Sequence, residues 1–321
     1  MATLAQRELL LGGAAVALVA LVLTTALPPR PHYLALLNDA GHAPVFGALA
    51  WLLLLLLGAR CPDWSPAARF LAAFAGAVLA GAAVEVLQMF LDRDASLGDW
   101  LMDAAGALGT LCAVGLWRSR QDRQRSAARG AVLLTGLVAS TAIVAAPLVA
   151  GAQAYARRGA QFPVLASFER ASDLHFVAPI GADIERIALP PDFTAGTDEA
   201  ALKVTFVDQS YPGVQIWEPA PDWQGFRTLN IDVVNPGDDP LPLGVRVHDA
   251  DHDQRYEDRF NLAVVIPPAT RQQLSVPLTD IASGPRERRL DIGRVAMIAV
   301  FEGSGSAEVG RALYLRRIWL D

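Results

Sequence analysis

Cysteine is scarce in this sequence, which has two among 321 residues, Cys61 and Cys112. Two cysteines this far apart form neither a disulfide framework nor a spaced metal cluster. The sequence also lacks a basic tail or an arginine- and lysine-rich stripe, which disfavours nucleic acid as a partner. It contains no nucleophile elbow, phosphate-binding glycine loop or HExxH motif. We therefore predict no bound metal and no cofactor, and the sequence leaves enzymatic activity undecided.

Charge and hydropathy divide the chain into two different halves. Residues 1–155 hold 10 basic and 9 acidic side chains among long apolar runs, whereas residues 156–321 hold the other 17 and 24, a local net charge of −7. The overall net charge of −6 and hydrophobic content of 53% conceal this contrast. A single soluble globule is excluded. We predict that the first half lies in a membrane and that the second half folds in water.

Five apolar stretches reach or approach the about 20 residues that a membrane-spanning helix needs. They are Leu9–Leu27, Ala43–Leu57, Phe70–Leu91, Trp100–Trp117 and Ala131–Ala150. The first run is longer than a signal-peptide core of about 7–15 residues, so we interpret it as an uncleaved helix.

The arginines predict the orientation of these spans. With the N-terminus in the cytoplasm, eight arginines fall in cytoplasmic segments and four in outer segments, in keeping with the positive-inside rule. Five spans then carry the C-terminal half out of the cytoplasm. We predict a transmembrane domain of four helices over residues 1–130, a fifth transmembrane helix and linker over 131–159, and an extracytoplasmic β-sandwich over 160–321.

The C-terminal half reads as short alternating strands separated by Gly, Pro and Asp, which is typical of a β-sandwich or jelly roll. The predicted strands are Ala201–Asp208, Val214–Trp217, Phe226–Val234, Leu243–Asp249, Asp258–Ile266, Gln272–Leu278, Val295–Phe301 and Leu313–Leu320. The predicted fold class is thus multi-domain, an α-helical transmembrane bundle followed by an all-β jelly-roll sandwich.

Four segments of this half form a recognisable set: Phe168-Glu169, Trp223-x-Gly225, Asp258-Arg259-Phe260-Asn261 and the closing run Leu313–Leu320. Through them this half resembles the galactose-binding-like jelly rolls, which include carbohydrate-binding modules. The resemblance implies a polysaccharide as a partner of this half. Aromatic side chains suit that role because a ring face offers apolar area to a sugar, and packing within the sandwich is their alternative role. The candidates are Tyr211, Trp217, Trp223 and Tyr256.

Alternating acids at Asp249, Asp251 and Asp253 match the start of a calcium loop. Gln254 replaces the required glycine and Phe260 the closing glutamate, so the sequence excludes an EF-hand. A solvated hairpin tip and an irregular calcium site remain as alternatives.

Several polar residues lie in or beside the apolar runs, where a charge costs a few kcal/mol or more and needs a partner or a role. Under the predicted orientation they converge on the outer leaflet, and we predict that they bind a ligand there. Helix N-capping is the alternative role for Asp39 and Asp99, and a hydrogen bond inside the bundle is the alternative for Asp103. The predicted ligand-binding residues are Asp39, His42, Glu85, Gln88, Arg93, Ser96, Asp99 and Asp103.

These residues fall into three ordered elements, Asn38-Asp39-x-x-His42-x-x-x-Phe46, Glu85-x-x-Gln88 and Arg93-x-x-Ser96-x-x-Asp99-x-x-x-Asp103-x-x-Gly106-x-x-Gly109. In this order the elements resemble the VanZ-like membrane family, and the resemblance covers residues 9–117. Ala40 stands where that family usually has lysine, and Asp103 where it usually has asparagine, so the site is more acidic here. The resemblance implies a multi-pass protein of the bacterial inner membrane and a link to glycopeptide tolerance.

The sequence is compatible with three functions. In the first, the chain binds a membrane lipid, a lipid-linked glycan or a glycopeptide-type molecule at the outer leaflet. In the second, it is an intramembrane enzyme that acts on a lipid-linked substrate, with Glu85 or His42 as general base. In the third, it is an assembly factor whose sandwich contacts another envelope protein.

Overall fold

The structure is a computed structural model of the chain, and it has two compact units, Met1–Gly151 and Ala152–Asp321. The residues that it describes are 4–24, 31–91, 96–121, 126–194, 199–305 and 308–321.

The first unit is built from long apolar helices. They are α1 (Leu4–Thr24), α2 (His32–Arg60), α3 (Pro66–Gln88), α4 (Leu97–Gln121) and α5 (Ala127–Gln161). Within the described residues, the four helices from α2 to α5 are long and apolar enough to cross a membrane, and α1 contributes a shorter apolar segment, Leu9–Val22. The predicted helical, membrane-like N-terminal region is confirmed, with four such helices where the sequence predicted five.

Two helices are longer than the sequence predicted. Helix α2 begins at His32, well before the predicted start at Ala43. The prediction missed its first turns because they contain too many polar residues to form an apolar run. Helix α5 continues to Gln161, through the segment that we predicted as a linker. Asp39 and His42 therefore lie inside a helix and not at its entry.

Small residues allow α2 and α4 to approach closely. A Cβ atom added at Gly106 of α4 would lie 2.0 Å from the backbone oxygen of Ala43 in α2. One added at Gly47 would lie 2.3 Å from Oγ1 of Thr110. Membrane helices pack through such small residues because the two backbones can then come together. This crossing sets the turn of α2 that carries His42 against α4.

The second unit is a β-sandwich of two antiparallel sheets, which confirms the predicted fold class. Its strands are β1 (Val164–Ala166), β2 (Val177–Ile180), β3 (Ala182–Ala188), β4 (Ala200–Phe206), β5 (Gly213–Trp217), β6 (Thr228–Asn235), β7 (Leu241–Asp249), β8 (Phe260–Ile266), β9 (Thr270–Pro277), β10 (Val295–Glu302) and β11 (Ala312–Leu320). One sheet has the order β3-β4-β11-β6-β9, with β1 paired to β11, and the other has the order β2-β5-β10-β7-β8.

Each predicted strand is present, and the structure adds β1, β2 and β3. These three are short or carry charged residues, so their alternation is weak in the sequence. The core lies between the sheets and consists of the inward side chains of both, for example Ile231 of β6 and Ile298 of β10, each with no exposed surface.

Candidate functional site

The structure brings three of the predicted site residues together inside the helical unit. His42 comes from α2, Glu85 from α3 and Asp103 from α4, and the three residues are buried, with 5%, 7% and 0% of their surface exposed. One nitrogen or oxygen atom from each lies within 4.8 Å of the corresponding atom of the other two. We call these three residues the buried cluster.

His42 and Asp103 form the tightest contact in the cluster. The Nδ1 atom of His42 lies 3.0 Å from Oδ1 of Asp103, which is hydrogen-bonding distance. The Asp103 side chain fits because position 81 of α3 is glycine, where an added Cβ atom would lie 2.6 Å from Oδ2 of Asp103. The ring of Phe46 lies parallel to the imidazole, with 6.5 Å between the ring centroids. The imidazole is thus oriented by a carboxylate on a neighbouring helix.

Glu85 connects α3 to the beginning of α4. The backbone N–H of Ser96 donates to Oε2 of Glu85 at 2.6 Å, and the Ser96 hydroxyl accepts from the backbone N–H of Asp99 at 3.2 Å. Ser96 is therefore the residue that caps α4, and Asp99 lies in the first turn of that helix. The indole Nε1 of Trp100 donates to the backbone oxygen of Val78 at 3.1 Å and holds the same two helices together.

The capping role suggested for two aspartates is corrected by this arrangement. Asp39 lies inside α2, whose N-cap is Pro31, and the cap of α4 is Ser96 and not Asp99. Asp39, Ser96 and Asp99 are each half-buried. The predicted site residue Arg93 lies outside the described residues.

Three buried polar atoms in or next to the buried cluster lack a hydrogen-bond partner among the described residues. They are Oε1 of Glu85, Oδ2 of Asp103 and Nε2 of Gln88. Glu85 and Gln88 share one face of α3, since they are three residues apart, and Gln88 is 1% exposed. Buried polar groups without a partner are rare in folded proteins, and each one requires an explanation such as a bound ion, water or ligand.

The four aromatic residues predicted to contact sugar have different environments in the sandwich. Tyr211 and Tyr256 are 51% and 62% exposed, and Trp217 is half-buried. Trp223 has no exposed surface, and its indole N–H donates to the backbone oxygens of Pro219 and Ala220. This corrects the expectation for Trp223, because its ring belongs to the core and offers no face to a sugar.

The outer face of the sheet β2-β5-β10-β7-β8 carries residues that the sequence analysis missed. Gln215 of β5 and Arg246 of β7 lie on either side of Ala299 in β10. The guanidinium of Arg246 lies 5.2 Å from the ring centroid of Phe301. Trp217 is on this face too, because alternate residues of a strand point the same way. We call Gln215, Trp217, Arg246 and Phe301 the aromatic face; the strand register that assembles it could not be read from the sequence.

The acidic loop that resembled a calcium site is held by arginine. Arg288 donates to both carboxylate oxygens of Asp249 at 2.6 and 2.8 Å, and its Nε lies 2.5 Å from Oδ1 of Asp258. The hydrogen bonds from Arg288 hold the pKa of Asp258 well below its usual range. Burial alone would raise the pKa of Asp249, but hydrogen bonds from Arg288 and the backbone N–H of Asp291 outweigh it and lower that pKa. Asp251 instead pairs at the surface with Arg294.

No protein-family model matches the chain, and no curated protein matches it. The VanZ-like resemblance therefore stays a prediction.

Several solved structures are similar to part of the chain. They include an exo-beta-agarase, with a TM-score of 0.37 and 20% identity, over 46% of this chain and 23% of the agarase. The family 11 carbohydrate-binding module of Clostridium thermocellum has a TM-score of 0.34 and 12% identity, over 45% of this chain and 88% of the module. The CBM22-1 xylan-binding domain of Paenibacillus barcinonensis has a TM-score of 0.34 and 15% identity, over 49% of this chain and 94% of the domain. Likeness this distant assigns neither a ligand nor an activity.

Proposed function

We propose that the chain is a VanZ-like membrane protein of the bacterial cell envelope whose buried cluster binds the polar head group of a lipid-linked envelope molecule. The observation that carries this proposal is the set of unpartnered polar atoms on Glu85, Gln88 and Asp103. Ionisable side chains in an apolar helix are costly, so they mark a functional site by default when they face the bundle interior. Here they face each other across three apolar helices.

The arginine distribution supports a cluster at the outer leaflet and a sandwich outside the cytoplasm. A head group of lipid-linked glycan would then reach the cluster from the membrane while its sugars extend into water. A glycopeptide-type drug that resembles such a molecule would compete with it for the cluster. This competition would link the protein to antibiotic tolerance.

The substitution Glu85→Gln is expected to remove the ligand. Loss of a charged hydrogen-bond acceptor costs about 1.5–3 kcal/mol, which corresponds to a roughly tenfold or larger drop in affinity. The measurement is mass spectrometry of lipids and glycans that copurify with the full-length chain in mild detergent, normalised to protein.

The matched control is Asp63→Asn, which neutralises a carboxylate in the exposed turn between α2 and α3. We expect this variant to retain the ligand at the wild-type level. Equal retention by wild-type protein and the Glu85→Gln variant would refute the proposal.

An intramembrane enzyme is the second candidate, and the His42–Asp103 hydrogen bond of 3.0 Å is the observation that favours it. A carboxylate that orients an imidazole prepares it for general base catalysis. Turnover of a lipid-phosphate or lipid-glycan substrate by purified protein, with loss of that turnover in the Glu85→Gln variant, would select the enzyme over the binding protein.

We also propose that the aromatic face binds polysaccharide. A half-buried tryptophan on the same sheet face as an arginine, an amide and a second ring offers both the apolar area and the polar groups that a sugar needs. We expect Trp217→Ala to weaken glycan binding about tenfold, since a stacked aromatic contributes roughly 1–1.5 kcal/mol. The measurement is binding of the full-length chain to an oligosaccharide array.

The control for this experiment is Trp319→Ala, which removes a tryptophan from the outer side of the other sheet, between the buried side chains of Ile318 and Leu320. Its glycan binding should equal that of the wild type. Equal loss in both variants would mean that the aromatic face is not the glycan surface.

A further inference from the structure

The buried cluster carries more acidic than basic groups. Glu85 and Asp103 are carboxylates, His42 is the only basic group bonded to either of them among the described residues, and all three are buried. When both carboxylates are ionised, their burial costs several kcal/mol of hydration, which a bound cation would offset. The charge of an anionic head group would add to the same imbalance, so the proposed ligand makes a cation more necessary.

The distances in the cluster suit a small ion. A transition metal lies about 2.0–2.2 Å from imidazole nitrogen and carboxylate oxygen ligands, so two ligands at right angles are about 3 Å apart. Nδ1 of His42 and Oδ1 of Asp103 are already 3.0 Å apart. The third ligand atom, from Glu85, lies within 4.8 Å of both, and rotation of its flexible side chain can shorten that separation.

The unpartnered atoms are a second, independent sign of a ligand. Oδ2 of Asp103 and Oε1 of Glu85 have no hydrogen-bond donor among the described residues, although Asp103 is fully buried and Glu85 is 93% buried. Gly81 leaves space beside Oδ2 of Asp103 that a side chain would fill. Both carboxylates thus retain acceptor capacity that no described residue uses.

The described residues include a second group of one histidine and two carboxylates, in the sandwich, whose buried carboxylate has no unused acceptor capacity of this kind. Its members are His252, Asp253 and Asp258. Asp258 accepts from Arg288 and from the backbone N–H of Asp253. That carboxylate already has a guanidinium as its partner, whereas the only basic group at the helical cluster, among the described residues, is the imidazole of His42.

We propose that His42, Glu85 and Asp103 bind a divalent transition-metal ion. Two carboxylates balance the charge of the ion, and the imidazole favours Zn²⁺ over Ca²⁺ and Mg²⁺, which prefer oxygen ligands alone, while Mn²⁺ is also suited to the carboxylates. Three protein ligands leave a coordination position open, which a phosphate or carboxylate oxygen of the head group would fill. The role of the ion rests on the proposed function, but its binding does not, and it replaces our expectation of a site without metal.

The test is metal binding by the tag-free, full-length chain in lipid nanodiscs. The protein is stripped with a chelator, equilibrated with Zn²⁺ or Mn²⁺ and analysed by mass spectrometry of the metal. We expect about one ion per chain for the wild type and an affinity lower by roughly tenfold or more in the Glu85→Gln and Asp103→Asn variants, because each loses a charged ligand. Asp63→Asn and His252→Gln are the controls and should bind as the wild type does.

A variant that does not fold is recognised by its elution profile, and the other cluster variant then decides the test. Co²⁺ substitution adds a spectroscopic readout, since visible absorption bands report direct coordination that should be absent from the variants. Wild-type protein without metal, or variants that bind it equally well, would overturn the proposal. If metal-free wild-type protein still retains a lipid that the Glu85→Gln variant loses, the metal site is refuted and the proposed function stands.

Discussion

Replacing Arg288 by methionine is expected to lower the free energy of unfolding of the sandwich by about 3–5 kcal/mol, the usual cost of removing one partner from a buried ion pair. The side chain of Asp249 has no exposed surface and that of Asp258 has 8% exposed, so water cannot replace the guanidinium. For a unit of this size, the loss corresponds to a melting temperature lower by about 10 °C. The measurement is thermal unfolding of the full chain, followed by tryptophan fluorescence.

The matched control is Arg294→Met, which removes the partner of Asp251 from a pair whose side chains are 56% and 57% exposed. Exposed pairs contribute about 1 kcal/mol or less. If the two variants melt at the same temperature, the loop is not held together by Arg288 as the structure shows.

The pH dependence of this effect has a definite sign. The pKa values of Asp249 and Asp258 are lowered in the folded protein, so their contribution to stability is complete well above the unfolded value of about 3.9. It is lost as the pH falls toward the folded pKa values and the carboxylates gain protons. The difference in stability between wild type and the Arg288→Met variant should therefore shrink between about pH 5 and pH 2. A difference that grows in acid would contradict this assignment.

Periodicity predicted much of the fold because each signal is local. Apolar runs identified helices, and alternation identified the strands from β4 to β11. The prediction failed where local signals are weak, as at the polar beginning of α2 before Ala43 and in the three-residue strand β1. A run of apolar residues also cannot show where a helix continues beyond it, which is why α5 extends through the predicted linker.

The candidate site was only partly predictable. His42, Glu85 and Asp103 were predicted as site residues because polar groups are costly in an apolar helix. Which of them are in contact depends on how the helices pack. The contact between His42 and Asp103 requires Gly106 to admit the backbone of Ala43, and the sequence alone does not show which helices cross there. Asp99 looked like a cap because the apolar run begins at Trp100, whereas α4 begins at Leu97 and Ser96 caps it.

The aromatic face shows the same limit in the sandwich. Arg246 and Phe301 are 55 positions apart in the sequence and meet only through the register of β7 with β10. Trp223 carried a strong aromatic signal, yet the sandwich closes around it. Aromatic composition therefore did not identify which of these residues share a surface of the sandwich.

The convergence of ionisable groups from separate apolar helices depends on the crossing of α2 and α4, which a cysteine pair tests most directly. An added Cβ atom at Gly47 would lie 3.3 Å from Cβ of Thr110, close to the about 3.5–4.5 Å that a disulfide spans. In a chain that carries Cys61→Ser and Cys112→Ala, we expect the pair Gly47→Cys and Thr110→Cys to form a disulfide under mild oxidation in membranes. Peptide mass spectrometry should detect it in nearly every molecule.

The control pair is Gly41→Cys with Thr110→Cys, because a Cβ atom at Gly41 would face open space on the same helix. This pair should remain reduced. A disulfide at positions 47 and 110, with none at positions 41 and 110, is the result that we predict. The reverse pattern, or no disulfide in either pair, would mean that α2 and α4 do not cross here and that His42 and Asp103 do not share a site.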